Sequence, residues 1–491
     1  MQDILVIGGG VNGAGIARDA AGRGLAVTLV EKDDLAAHTS SASTKLVHGG
    51  LRYLEQYEFR LVREALAERE VLLRIAPHIV WPLRFVLPHD AGLRPRWMLR
   101  VGLFLYDRIG GKRTLPGSRG VDLSKPPHGG VLQDRLKRGF EYSDCWVEDS
   151  RLTVLNAMDA SERGADIRTR TECIALERIA DGWHATLSTG ETIAARAVVN
   201  AAGPWVDDVA AMGGVNEAHL RLVKGSHLIV RRQFEGEQAY IFQNGDGRIC
   251  FAIPYEHDYT LIGTTDQLFE GDRNDPEISA REQTYLLDAV NEYFADPVTP
   301  DDIVSTYSGI RPLYEDESAS NSTVTRDYVF AIDAPDGAAP LLSVYGGKIT
   351  TYRRLAEHAL EKLAAHLTVS GEEWTGNAPL PGGRMPNGFD AFVADTARRY
   401  PWMGPRMRLR LARAYGNRMH RWLGETHGMA DLGARLGGDL YAAELAYLAE
   451  HEFARTAQDA LWRRSKLGLH LTAREIARVE RWFQEQYPDF A

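Results

Sequence analysis

The chain has 491 residues, 44% hydrophobic and 25% charged, which supports two or three soluble domains around a large core. Its formal charge of −10 excludes binding to nucleic acid by bulk charge, and no apolar run reaches the roughly 18 residues that cross a bilayer, so membrane contact is expected to be peripheral. Cys145, Cys173 and Cys250 are widely spaced, which argues against a cysteine metal cluster or disulfide framework; no metal site is expected, and a reducing compartment fits.

Residues 2–7 read as a buried strand, followed by a G-x-G-x-x-G turn, a helix, and a second strand 27–30 ending in Glu31. Gly8 permits the tight turn, Gly10 lets backbone approach a pyrophosphate, and Gly13 lets helix and strand pack closely. The pyrophosphate sits at the positive end of the helix, and Glu31, 18 residues after Gly13, has the reach to hold a ribose. The motif predicts a dinucleotide site without choosing the dinucleotide. With this strand opening at residue 3 or 4, no signal peptide is expected.

Residues 36–50 are rich in Ser, Thr and Gly and read as a loop, and 51–76 read as a helix ending before Pro77. In 94–113, Trp97, Met98, Leu99, Val101, Leu103, Phe104, Leu105, Tyr106 and Ile109 lie among Arg94, Arg96, Arg100, Arg108, Lys112 and Arg113. That pattern predicts an interfacial amphipathic helix with Arg96, Arg100 and Asp107 on one face; the competing reading is a core helix with snorkelling arginines.

A helix is expected over 150–164, and alternating segments over 165–179 and 183–188. A buried strand then runs from Ala197 into Gly203-Pro204. Segments in 220–265 and 303–332 predict a mostly antiparallel sheet. Residues 341–348 return to a strand with a Gly-rich turn, and Thr351–Leu367 to a helix whose N-terminus favours negative charge. Pro381-Gly382-Gly383 and Pro386-Asn387-Gly388 mark a boundary, after which 389–491 read as all-helical. Within that part, 398–421 carries eight arginines and no acid, a zone that could face anionic lipid or a subunit partner.

Several stretches together resemble the FAD-dependent, aerobic-type glycerol-3-phosphate dehydrogenases. They are Gly8–Gly15, Thr39–Leu54 (TSSASTKLVHGGLRYL), Gly139–Trp146, Lys224–His227, Ile262–Asp266, Tyr307–Pro312, Thr325–Tyr328 and Gly346–Arg353. The resemblance runs from residue 3 to about 485, and Thr39–Leu54 is its most specific part. It implies an α/β plus α fold. A Rossmann-like FAD-binding domain, of the D-amino-acid-oxidase/glutathione-reductase type, would be discontinuous over 1–75, 146–215 and 335–370. An antiparallel-sheet substrate domain would cover 76–145 and 216–334, and a helical C-terminal domain 386–491.

The expected FAD contacts are Gly8, Gly10, Asn12, Gly13 and Glu31, then Thr39, Ser40, Ser41, Ser43, Lys45, Leu46, His48, Gly49 and Gly50, and finally Ala202, Gly203, Gly347, Lys348, Ile349 and Thr350. By the resemblance, Arg52, Arg311, Arg326 and Lys348 converge on a phosphate-bearing substrate with Tyr53 beside them, since guanidinium forks suit phosphate. Removing a proton from the C2 hydroxyl of sn-glycerol 3-phosphate needs a base. His227 is preferred and His48 is the runner-up; Arg311 and Lys348 are assigned to the same chemistry.

The resemblance further implies electron transfer to a membrane quinone; with the 94–113 pattern, peripheral attachment to an anionic membrane surface at the cytoplasmic face is expected, the overall acidity argues against a nucleic-acid partner, and a homodimer is left open. Rival readings are a glycerol-3-phosphate oxidase using O2, an amine or amino-acid oxidase of the same flavin fold, and a non-catalytic nucleotide-binding scaffold.

Overall fold

The computed structural model describes residues 1–490 except 91–93, 217–218 and 315–326, and except the side chains of Glu55 and Gln56. Two sheets organise the first three-quarters of the chain. In the first, five parallel strands run in the order Leu341–Tyr345, Thr192–Asn200, Gln2–Ile7, Val27–Val30, Asp166–Arg168. Alternate residues of Gln2–Ile7 enter different cores: Ile4 and Val6 pack with the helices Val11–Gly22, Asp149–Glu162 and Tyr352–Leu363, while Leu5 and Ile7 pack with Trp183, Leu187 and Val209. A strand covered on both faces must be apolar throughout, which is why this segment reads as a continuous hydrophobic run.

The second sheet takes Val80–His89 and Arg138–Val147 from the middle of the chain and joins them to Leu220–Arg231, Ala239–Gln243, Ile249–Tyr255, Tyr259–Gly263 and Ile303–Tyr314. These pairs are antiparallel except Val80–His89 with Ala239–Gln243. One face is covered by the helix Ala280–Asn291, the other by Phe59–Ile75 and Arg96–Ile109.

Several boundaries differ from those expected. Leu46–Val47, assigned to the first domain, pairs with Cys145 and Trp146 in the second sheet. Val329–Asp333, assigned to the second, pairs antiparallel with Leu341–Tyr345 in the first. The expected helix 51–76 is a 3-10 turn, Leu51–Gln56, then a helix Phe59–Ile75, because Tyr57 turns into the left-handed region at φ +60°. The C-terminal part is not wholly helical: Arg435–Gly437 and Leu440–Tyr441 form a small hairpin, and Asp459–Arg464 is a π-helical turn.

Candidate active site

A cavity of about 600 Å³ opens at the carboxyl ends of the parallel strands and extends under the second sheet. Sequence creates one end of it through backbone approach. Gly8 sits at φ +112°, and a Cβ there would lie 2.4 Å from the Ala201 carbonyl; a Cβ on Gly13 would lie 1.9 Å from the Gly8 carbonyl. Only glycine fits either position. The turn presents the first N–H groups of the helix Val11–Gly22, which have no partner inside that helix. Beyond it, Glu31 accepts N–H bonds from Gly9 (2.6 Å) and Asp33 (2.8 Å), while burial pushes its carboxyl above the usual range. A pyrophosphate cradle beside a fixed acid is the shape the adenosine diphosphate half of a dinucleotide requires. Trp205, missed in the sequence, closes this end under His38 (ring centroids 4.6 Å apart) and the Lys32 ammonium (4.5 Å).

At the other end, strands from both sheets bring the titratable groups together. His227 lies opposite Tyr307, and the two rings stack 4.6 Å apart. Its Nε2 is 2.9 Å from Thr44 Oγ1. Burial, then the charges of Arg311 and Lys45, hold the imidazole well below its ordinary pKa, so it is neutral at pH 7. Arg311, four positions along the Tyr307 strand, points its guanidinium to Asp266 and Thr264, each 3.4 Å away. Lys348 follows the left-handed Gly346 and Gly347 and places its ammonium 4.0 Å from the Tyr53 ring. Asn12 donates to the Gly346 carbonyl (3.1 Å), and the His48 N–H to Thr350 Oγ1 (3.3 Å). The nucleotide turn, the 39–50 loop and the 346–350 turn are thereby fastened into one wall.

His48, Arg52, Tyr53, His227, Arg311 and Lys348 all line this one cavity. So do Gly8, Gly10, Asn12, Glu31, Thr39, Ser40, Ser43, Leu46, Gly50, Ala202, Gly203, Gly347, Ile349 and Thr350. Gly13, Ser41, Lys45 and Gly49 stand behind it. Lys45, expected on cofactor, is instead fixed in the interior by Asp149 (2.7 Å) and the Ser41 carbonyl (3.0 Å), because a buried ammonium needs a paired anion. From there its charge acts on His227, and its ammonium lies 5.3 Å from the centre of the Tyr307 ring. Arg326 lies outside the described residues. Thr44, which lines the cavity, and Tyr307, which backs His227, lie inside the family-like stretches without a signal of their own; Arg248 and Phe251 also line the cavity and carried no sequence signal.

The helix Arg96–Ile109 buries Leu99, Leu103 and Tyr106 and turns Trp97, Met98, Val101, Phe104 and Leu105 outward, Trp97 being 67% exposed. The expected basic rim is only partly there. Arg100 bonds Ser118, Arg96 lies over Phe140 and Asp107 accepts from Ser118, so these side chains are tied back to the protein although Arg100 stays exposed. Arg108 stacks on Phe104 at 3.6 Å. In 398–421 most of the arginines pair with acids of the chain: Arg398 with Asp395, Arg399 with Glu425, Arg406 with Asp258, Arg410 with Glu444, and Arg418 and Arg421 with Glu162. Arg413 lies over Trp81 and Phe389. Arg398, Arg399, Arg406 and Arg421 remain exposed even though paired, while Arg410 and Arg418 are drawn into the protein.

Residues 3–353 match the family model for FAD dependent oxidoreductases, and 374–484 match the C-terminal domain of alpha-glycerophosphate oxidase. The chain is 52% identical to a glycerol-3-phosphate dehydrogenase of Pseudomonas aeruginosa, over 99% of this chain and 96% of that one. It is 51% identical to a D-erythritol 1-phosphate dehydrogenase of Brucella abortus, over 98% and 97%. The crystal structure of the glycerol-3-phosphate dehydrogenase from Bacillus halodurans complexed with FAD superposes with a TM-score of 0.76 at 30% identity, covering 99% of this chain and 91% of that one. With the glycine cradle, the fixed acid and the cation-lined far end already in place, these matches show that the chain belongs to the FAD-dependent oxidoreductases, in the glycerol-3-phosphate dehydrogenase family.

Proposed function

We propose that the chain oxidises sn-glycerol 3-phosphate to dihydroxyacetone phosphate and delivers the electrons to a membrane quinone from the cytoplasmic face. The observation that carries this reading is the meeting of His227, Arg311 and Lys348 at one end of the cavity, with Gly8, Gly10 and Glu31 at the other. Gly8, Gly10, Asn12 and Glu31 would hold the adenosine half of FAD, and Ser43, His48, Gly50, Gly347 and Thr350 the flavin half. When bound there, FAD supplies the hydride acceptor.

The chain supplies the rest. Arg311 and Lys348, with Arg52 on the same wall, take the substrate phosphate. His227, neutral at pH 7, accepts the proton of the C2 hydroxyl. A phosphate dianion on Arg311 would offset one of the two cations that depress His227, so the base strengthens when substrate is seated. Stacking on Tyr307 and the Thr44 contact hold the imidazole plane. His48, whose backbone is tied to Thr350, is the runner-up for this role.

Leu51–Gln56 and Phe59–Ile75 both pack on Arg96–Ile109, and the exposed Trp97, Met98, Val101, Phe104 and Leu105 of that helix, with exposed Tyr57 and Phe59, support peripheral attachment to a bilayer. Among the described residues, no helix is long and apolar enough to cross a membrane. Tyr142, Ile241, Ile249 and Phe251 wall the cavity on the side where this helix packs, an apolar route suited to a quinone. The relative named for D-erythritol 1-phosphate keeps a longer polyol phosphate as a second substrate to test.

An anaerobic titration followed by flavin absorbance decides the reading. Glycerol 3-phosphate should bleach the flavin at lower concentration than D-erythritol 1-phosphate. Peroxide yield in air, set against quinone reduction, separates the dehydrogenase from an oxidase. Colourless protein, or flavin untouched by either phosphate, would overturn the proposal.

A further inference from the structure

The acid that marks the ribose position opens a short turn, 31–37, that walls the adenosine end of the cavity. Three residues beyond Glu31, Asp34 is buried and faces away from the cavity into the C-terminal domain. Its carboxylate accepts Arg463 Nε (2.5 Å), Arg464 Nη1 (2.5 Å) and Arg464 Nη2 (2.7 Å), all from the π-helical turn Asp459–Arg464.

The same turn reaches the opposite side of Glu31. Arg463 also pairs with Asp459, and Asp459 takes two bonds from Arg170 Nη2 (2.9 and 2.7 Å). The Arg170 N–H donates to the Asp33 carbonyl, and the Thr171 N–H to the Glu31 carbonyl, each at 2.7 Å. On the cavity side, Ala36 N–H donates to the Gly9 carbonyl (3.1 Å) and Gly9 N–H to the Glu31 carboxylate (2.6 Å). The 31–37 turn is therefore held between the pyrophosphate loop and a buried ion network that begins about 430 residues later. Buried charges of this kind pin a conformation strongly, because breaking one pair strands the other charge without water. Arg463 and Arg464 are consecutive in the turn, and their long side chains converge on the one carboxylate.

We propose that the C-terminal domain is a cofactor-retention element, with Arg463 and Arg464 acting through Asp34 as positioning residues that keep the 31–37 turn closed on the adenosine half of FAD. The inference rests on the FAD reading of the cavity. It assigns the C-terminal domain a task separate from substrate chemistry.

The test uses the full-length protein and measures FAD dissociation, together with ADP binding to apoprotein, because ADP carries only the adenosine diphosphate half. Arg464→Gln and Asp34→Asn should each speed FAD loss at least tenfold and weaken ADP by a similar factor. Arg464→Lys should restore part of both. Arg418→Gln, which breaks a different ion pair between the domains, the one to Glu162, should leave FAD and ADP binding as in the wild type. Should Arg464→Gln fail to fold, Arg463→Gln, which leaves the two Arg464 bonds to Asp34 in place, gives the same readout. Unchanged FAD and ADP binding in these variants, or an equal loss in Arg418→Gln, overturns the proposal. Wild-type protein that binds no FAD would instead overturn the cofactor reading beneath it.

Discussion

The hydroxyl of Tyr106 accepts the N–H of Gly49 at 2.8 Å, joining the helix whose outer face carries Trp97 and Phe104 to the loop that lines the flavin end of the cavity. The same hydroxyl donates to Asp144 (2.8 Å), and Arg69 donates to that carboxylate from the other side (2.9 Å). All of these groups are buried. Tyr106→Phe removes the hydroxyl between the Gly49 N–H and Asp144 and takes a donor from that buried carboxylate, a cost of about 1–3 kcal/mol. Thermal unfolding should shift down by a few degrees, roughly as expected for a chain of this size. Flavin reduction should slow because Gly49 adjoins His48. A variant with wild-type melting and reduction rate would show that the hydrogen bond positions nothing.

His227→Asn should lower the rate of flavin reduction while FAD stays bound. Because burial, Arg311 and Lys45 hold the imidazole well below 6.5, the wild-type base is already neutral at pH 6.5. At limiting substrate, where the free protein's base is reported, the second-order rate of flavin reduction should stay level from pH 8 to 6.5 and fall only at lower pH. A stopped-flow profile with its midpoint at or above 6.5, or an undiminished rate in the variant, removes His227 from the role.

Arg311→Lys keeps the charge but loses the planar fork that grips a phosphate. Hydrogen bonds to charged groups contribute about 1.5–3 kcal/mol, so KM for glycerol 3-phosphate should rise about ten- to a hundredfold. Steady-state kinetics with inorganic phosphate as competitor checks it: the variant should also lose phosphate inhibition.

Glu282 caps the helix Ala280–Asn291 and also accepts from Ser226 and Thr265, the neighbours of His227 and of the Thr264–Asp266 wall. Burial alone would raise its pKa, but the Ser279 N–H, Lys224, Thr265 and Ser226 outweigh it and hold the carboxyl at about 2. A pKa depressed in the folded state gives stability that is complete above the unfolded value of 4.5 and lost as pH falls from about 4.5 towards 2. Glu282→Gln should melt lower at pH 7 and lose less than the wild type on acidification through that window. Parallel melting curves against pH would refute the assignment.

The double substitution Trp97→Glu/Phe104→Glu should reduce partitioning onto anionic vesicles at least tenfold, about 1.4 kcal/mol, without changing flavin content. Sedimentation with vesicles equal to the wild type would remove the helix 96–109 from membrane contact.

Gly8, Gly10, Gly13 and Glu31 announce a dinucleotide site by themselves because each acts within one βαβ unit, where spacing along the chain fixes spacing in space. The Thr39–Leu54 and Gly346–Arg353 stretches extended that reading to the flavin end, and the hydrophobic periods marked most strands and helices. Periodicity shows that the helix 96–109 has two faces but not which one is covered. Only packing decided that Leu99, Leu103 and Tyr106 face the core while Trp97 and Phe104 face out. Charge partners are equally invisible to a local reading. Lys45 sits inside a cofactor-like motif yet is held by Asp149; the arginines of 398–421 find acids such as Glu162 and Asp258; and Asp34 meets Arg464 across about 430 residues. Sequence by itself determined the dinucleotide-binding βαβ unit, through short-range geometry and apolar period, while FAD and the reaction class followed from the resemblance of stretches such as Thr39–Leu54 to a known family. The assignment of every buried charge to its partner belonged to the tertiary structure, because a desolvated ion is stabilised by whatever opposite charge the fold brings to it.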